Sequence, residues 1–252
     1  MQRLSFALLE KREGVRHCVT LRDPSRPLDF SLALHTGQAA EAIRANRQAL
    51  EEYFGREAHF VSVLQVHGDT VHRVEKPVSH GWEEAAAIRA DALLTSVPGV
   101  VLTILTADCV PVLLYDPVRK VIGAAHAGWK GSRLGIVTGT LKRMQDDYGS
   151  RPGDIRAVIG PAIGGCCYEV DPELAEHFLG IDGAVLPGKS GKPHLDLKRV
   201  NRHQLIEAGV SPEHIETSSV CTACDHARFF SYRKEGGCDG RFMSCIMLDD
   251  SR

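Results

Sequence analysis

At 252 residues the chain is long enough to bury a sizeable core, and 43% hydrophobic with 25% charged residues is ordinary for a globular domain. Thirty basic against thirty-two acidic residues give a formal charge of −2, which argues against nucleic acid or an anionic membrane as the main partner. The apolar run 97–115 is broken by Pro98, Asp108 and Pro111, so no window reads as a membrane span.

The N-terminal apolar run is too short for the hydrophobic part of a signal peptide. Eight cysteines in that context read as thiols or metal ligands of a cytoplasmic protein rather than as disulfides. Residues 3–34 read as short strands with turns at Arg12-Glu13-Gly14 and Asp23-Pro24-Ser25. From Gln38 to Phe54, apolar residues at Ala39, Ile43, Leu50 and Phe54 mark an amphipathic helix stopped by Gly55. Arg47 falls near its apolar stripe, where the stem of a surface arginine packs as readily as a ligand-binding one.

Residues 60–66 read as a strand, followed by His67-Gly68-Asp69-Thr70 and a second strand over 71–74. Residues 75–90 read as loop and short helix. The next stretch organises the chain. Residues 100–106 and 110–115 are apolar, β-branched runs that read as strands buried on both faces. Between them stand Ala107-Asp108-Cys109, and a third strand over 121–125 delivers His126. Gly128-Trp129-Lys130-Gly131 then opens a segment whose apolar residues Leu134, Val137, Leu141 and Met144 predict a helix.

Further on, residues 155–159 read as a strand running into the glycine-rich turn 160–165. Asp171-Pro172 opens a helix with proline in its first turn. Residues 180–194 read as a mobile surface loop, 197–208 as a helix ending at Gly209, and 242–248 as a final strand. No short-period repeat or clean linker divides the chain, which reads as one domain.

His67, Cys109 and His126 each stand at the end of a strand-like run, so one sheet edge would bring them together. Two imidazoles and a thiolate suit Zn²⁺ and leave a fourth position open, the arrangement of a catalytic site. Copper binds such ligands too, but a reducing compartment favours zinc. Spacing alone leaves two other readings open. One is a hydrolase with Cys109 as nucleophile, His126 as base and Asp108 or Asp91 orienting it. The other is plain packing of a buried thiol and core histidines. Cys221-x-x-Cys224 lacks the second close pair of a zinc ribbon, since Cys238 and Cys245 are too far apart. Cys166-Cys167 read as packing residues.

Assembled, the motifs resemble the laccase-domain (YfiH-type) family, whose members have been described as polyphenol oxidases and as purine nucleoside phosphorylases. They are QVHGDTV from Gln65, ADALLT from Ala90, TADCVPVLLYD from Thr106, HAGWKG from His126, IGPAIGGCCYEV from Ile159 and CTACDHARFFSYRKEG from Cys221. The resemblance implies a single α+β (layered α/β) domain over residues 1–252, with mixed β-sheets between helical layers. It implies a zinc site at His67, Cys109 and His126. It also implies cleavage of adenosine, inosine, guanosine or methylthioadenosine by phosphate, together with adenosine deamination, in a monomer or small homo-oligomer. Cys109, Asp108 and Arg47 are then the expected catalytic residues, and Arg47, Lys130, Arg233 and Asp91 the expected substrate contacts, with the helix N-terminus after Gly128 near the phosphate; Asp91 has the alternative role of holding a zinc-binding histidine from behind.

The alternatives are a cysteine amidase linked to peptidoglycan precursors, a copper polyphenol oxidase, and a zinc protein without turnover. Relatives usually read FNLGLHVGD where this chain has Phe30-Ser31-Leu32-Ala33-Leu34-His35-Thr36-Gly37-Gln38, so an Asn and an Asp are replaced by Ser31 and Gln38. Lys130 and Lys234 stand where arginine is common.

Overall fold

A computed structural model describes residues 1–188 and 191–249. In chain order its strands are β1 (Arg3–Leu4), β2 (Val15–Thr20), β3 (His59–Val61), β4 (Val71–Arg73), β5 (Ala92–Thr95), β6 (Val100–Thr106), β7 (Val110–Asp116), β8 (Val121–Ala127), β9 (Arg156–Ile159), β10 (Val185–Leu186), β11 (His194–Leu195), β12 (Ile215–Thr217) and β13 (Phe242–Leu248). The helices are α1 (Ala7–Glu10), α2 (Ala40–Phe54), α3 (Trp129–Leu134), α4 (Ile136–Tyr148), α5 (Pro172–Glu176) and α6 (Leu197–Glu207).

Two mixed sheets form the centre: five strands in the order β1-β2-β13-β6-β3, and six in the order β12-β9-β7-β8-β5-β4. They pack face to face through Leu102, Ile104 and Ile246 of one and Leu113, Ile122 and Val158 of the other. Side-chain alternation along each strand supplies the outer faces. Met243, Cys245 and Met247 meet Leu50 and Phe54 of α2. Val112, Leu114 and Ala125 meet Leu141 of α4 and Val200 of α6. The fold is therefore α+β, with both sheets between helical layers.

Several local expectations are corrected. The three strands of the organising stretch do not share one sheet: β6 belongs to the first, β7 and β8 to the second. Ala107–Cys109 is thus a crossover between sheets. Within 3–34, residues Ala7–Glu10 form a helical turn instead of a strand. Its backbone donors are satisfied from afar, Phe6 N–H by His17 Nε2 at 2.8 Å and Leu8 N–H by Glu216 Oε2 at 2.7 Å.

The strand expected over 60–66 ends at Val61, because Ser62 and Leu64 turn their N–H groups to the carbonyls of His80 and Ile88. The same bonds tether 75–90, which bends at Gly81 and forms no helix. The helix after Gly128 is two helices. Gly135, in the left-handed region at φ 78°, divides α3 from α4 and leaves Leu134 56% exposed. Residues 180–194 include a hairpin of β10 and β11 anchored by buried Ala184 and Leu195, while Lys189 and Ser190 lie outside the described residues. No helix among the described residues is long and apolar enough to cross a membrane.

Candidate metal centre and cavity

The segments that build the site are held by one carboxylate. Asp91, fully buried just before β5, accepts N–H bonds from His67 (2.9 Å, Oδ1) and from Gly68 and Val66 (2.7 and 3.2 Å, Oδ2). Its Oδ1 also accepts Nδ1–H of His126 at 2.8 Å. The bond at Nδ1 fixes the ring and leaves Nε2 of His126 free as a donor atom. Burial alone would push the Asp91 carboxyl up, but His126 and the N–H groups of Gly68 and His67 outweigh it and lower it.

His67 arrives from the turn before β4, Cys109 from the inter-sheet crossover, and His126 from within β8, opposite Pro111. Their ligand atoms all lie within 4.8 Å of one another, with Cys109 Sγ 4.0 Å from His67 Nε2. The imidazoles meet edge to face at 4.7 Å between centroids. Two of the turn positions are conformationally strained: His67 has φ 60° and Asp108 φ 86°, where a side chain is uncommon and persists only when its surroundings hold it. Gly128 completes the fit, since a Cβ there would lie 3.0 Å from both Cys109 Sγ and His67 Cδ2.

Burial opposes ionisation of the Cys109 thiol, yet His126 and His67 outweigh it and bring it down to about 6. Burial likewise lowers His126, but the Cys109 sulfur and the Asp91 carboxylate outweigh it and raise the ring to about 9. The two shifts run in opposite directions, each favouring the charged form of its group beside the other. An N₂S donor set of this kind, with a carboxylate behind one imidazole, fits zinc and leaves room for an exogenous ligand.

The three residues line a cavity of about 530 Å³. Asp108 reaches it from the crossover, its carboxylate accepting Thr222 Oγ1–H at 2.6 Å and Arg233 N–H at 2.7 Å. Arg233 also lies on the wall, its guanidinium 5.1 Å from the centroid of Tyr168 and donating to Glu169 O at 2.7 Å. The other expected contacts fall elsewhere, Asp91 included, which is fully buried behind His126 and does not line the cavity. Arg47 is buried and donates to the carbonyls of Leu32, Gly81 and Trp82. Lys130 is exposed beside the Trp129 ring and is not part of the wall. The helix after Gly128 is only six residues long.

Cavity residues that sequence reasoning did not assign a role include Trp129, Tyr168, Tyr232 and Arg241. All except Arg241 stand inside the motifs quoted above, but aromatic residues there carry no spacing signal to separate lining from core. His35 lines the same cavity. Its loop is closed by Ser31 Oγ–H donating to Gln38 Oε1 at 2.6 Å, and the same hydroxyl accepts Arg241 N–H at 3.2 Å. The two departures from the usual family sequence therefore bond to each other. Cys166 and Cys167, read as packing residues, instead approach Cys224, and Cys166 is exposed.

Two layered mixed sheets of an α+β fold bring His67, Cys109 and His126 together in the cavity lining as a group that could hold a metal ion. Residues 16–249 match the family described as multi-copper polyphenol oxidoreductase laccase, and the chain belongs to that family. It is 32% identical to the purine nucleoside phosphorylase of Bacteroides thetaiotaomicron, over 97% of this chain and 96% of that protein. It is 41% identical to the purine nucleoside phosphorylase of Deinococcus radiodurans, over 82% of this chain and 77% of that protein. The crystal structure of YlmD from Geobacillus stearothermophilus matches with a TM-score of 0.87 and 35% identity, covering 94% of this chain and 93% of that one.

Proposed function

We propose that this chain is a zinc-dependent purine nucleoside phosphorylase that also deaminates adenosine. The observation that carries the reading is the convergence of His67, Cys109 and His126 in a cavity also lined by Arg233 and aromatic rings, together with relatives named purine nucleoside phosphorylase. His67, Cys109 and His126 would hold the metal, and Asp91 orients His126. When bound, zinc supplies Lewis acidity that makes water a nucleophile near neutral pH.

In phosphorolysis a phosphate oxygen bonds to C1′ of the ribose as the C1′–N9 bond breaks. The electron pair leaves with the purine, and ribose 1-phosphate is the other product. Arg233, with Arg241 in the same cavity lining, supplies the positive field for the phosphate. Trp129, Tyr168 and Tyr232 supply faces for the flat base. In deamination water adds at C6 and ammonia departs, and Asp108 moves the proton from the attacking oxygen to the leaving nitrogen. Thr222 and the Arg233 N–H hold that carboxylate in place.

Multicopper oxidation fits poorly. It needs several histidine-rich copper sites, and among the described residues the only ligand cluster containing histidine is this one. A second reading rests on the metal-free pair: Cys109, His126 and Asp91 lie in the order nucleophile, base and orienting carboxylate of a cysteine hydrolase.

The test is metal content together with adenosine turnover, with and without phosphate, for wild type and Cys109→Ala. Zinc and both activities lost together in Cys109→Ala support the proposal. A phosphate requirement assigns the turnover to C–N cleavage, and ammonia release to deamination. Metal-free protein that still turns over a nucleoside or amide, and is stopped by thiol alkylation, overturns it in favour of the hydrolase.

A further inference from the structure

The loop after β9 and the loop after β12 meet beside the cavity. Ala162 and Cys221 form a single parallel bridge, and Thr222 N–H donates to Ala162 O at 3.1 Å. The meeting gathers Cys166 and Cys167 from one loop with Cys221 and Cys224 from the other, all four sulfurs within 4.8 Å of one another. Cys224 Sγ lies 3.7 Å from Cys166 Sγ and 3.4 Å from Cys167 Sγ. Four thiolates around zinc at about 2.3 Å have sulfur–sulfur edges of about 3.8 Å.

Hydrophobic packing does not account for the cluster, because Cys166 and Cys224 are exposed. The surrounding groups suit a negatively charged sulfur cage. Gly164 N–H donates to Cys221 Sγ at 3.2 Å. The buried Lys198 ammonium is fixed nearby, donating to Ser218 O at 2.9 Å and Val220 O at 2.7 Å on the segment that leads into Cys221. Room for the approach comes from Gly164, where a Cβ would lie 3.2 Å from Cys166 Sγ and 3.3 Å from Cys221 Cβ. The glycine-rich turn is thus shaped to bring two cysteine-bearing loops together.

We propose that Cys166, Cys167, Cys221 and Cys224 bind one zinc ion as a closed structural site, separate from the His67–Cys109–His126 cluster. An all-sulfur set with no open position holds zinc without offering it to substrate. The ion joins the loop that carries Tyr168 to the loop that carries Thr222 and leads to Arg233, and so fixes one wall of the cavity. The proposal does not depend on which reaction the cavity performs.

The test uses the full-length chain isolated anaerobically, by metal analysis and then by cadmium-113 resonance after exchange. Wild type is expected to hold about two zinc ions per chain and to show one all-sulfur and one mixed nitrogen–sulfur cadmium signal. His67→Ala removes the mixed signal alone and retains one metal equivalent. Cys166→Ser with Cys224→Ser removes the all-sulfur signal alone. Because that pair of changes can unfold the loops, the deciding measurements are on wild type and His67→Ala. Absence of the all-sulfur signal in both overturns the proposal, as does iron in place of zinc or a disulfide among the four cysteines in the anaerobic chain.

Discussion

His126 Nδ1 and Asp91 Oδ1 are 2.8 Å apart, and the same carboxylate oxygen receives the N–H of His67 at 2.9 Å. One buried group therefore orients one candidate ligand through its ring and another through its backbone. Asp91→Asn replaces one of the two acceptor oxygens by a donor and misorients both. Its expected effect is a fall in metal affinity of roughly 10- to 100-fold, read by competition with a chromogenic chelator. Unchanged affinity would remove Asp91 from the site.

Gly128→Ala tests how tightly the donor atoms are set. The backbone there has φ −69°, which alanine adopts freely, so the only strain is the added carbon against Cys109 and His67. Displacing those side chains by a few tenths of an ångström is expected to weaken metal binding by roughly tenfold. The thermal midpoint of the metal-free chain should move by only a few degrees. A large loss of metal-free stability would instead mean that this corner is packed for folding.

Arg47→Met keeps the apolar stem and removes the guanidinium, leaving the carbonyls of Leu32, Gly81 and Trp82 without their donor. A loss of stability of about 2–4 kcal/mol is expected in urea unfolding, with the KM for phosphate unchanged. A raised KM for phosphate at unaltered stability would return Arg47 to the substrate.

His17 gives the chain an acid-sensitive anchor. It is buried, and its Nε2 accepts the Phe6 N–H; burial, opposed by Glu10, lowers it from 6.5 to about 4. The unfolded chain binds the proton first, so the contribution is complete above pH 6.5 and is lost as pH falls toward 4. The full span corresponds to on the order of 3 kcal/mol. His17→Gln, which keeps an acceptor but does not titrate, should show a shallower loss of stability between pH 7 and 4.5; parallel curves would refute the assignment.

The layered fold was legible where apolar residues dominated a run: β6, β7, β8 and β13 are buried at every position, and a strand buried on both faces is mostly apolar. Membership of different sheets was not legible, because periodicity says nothing about which neighbour a strand pairs with. The helical turn Ala7–Glu10 depends on His17 and Glu216, contacts that no local window contains. His67, Cys109 and His126 emerged as chemically distinctive residues near the ends of strand-like runs, although the strand before His67 ends at Val61 and His126 lies within β8. Arg47, by contrast, looked functional because a charged side chain near an apolar stripe has the same sequence signature whether it meets a ligand or main-chain carbonyls. Cys166 and Cys167 were misread because their partners lie more than fifty residues away.

The bond between Ser31 and Gln38 has a hereditary consequence. Each position alone looks like a lost family residue, yet together they close the loop that presents His35 and steady Arg241. Ser31→Asn puts a larger amide into a fully buried place already filled by the Gln38 side chain, and Gln38→Asp draws the acceptor away from the hydroxyl. A lineage moving between the two sequences passes through an ill-fitting intermediate, so the two positions are expected to be gained and lost as one character.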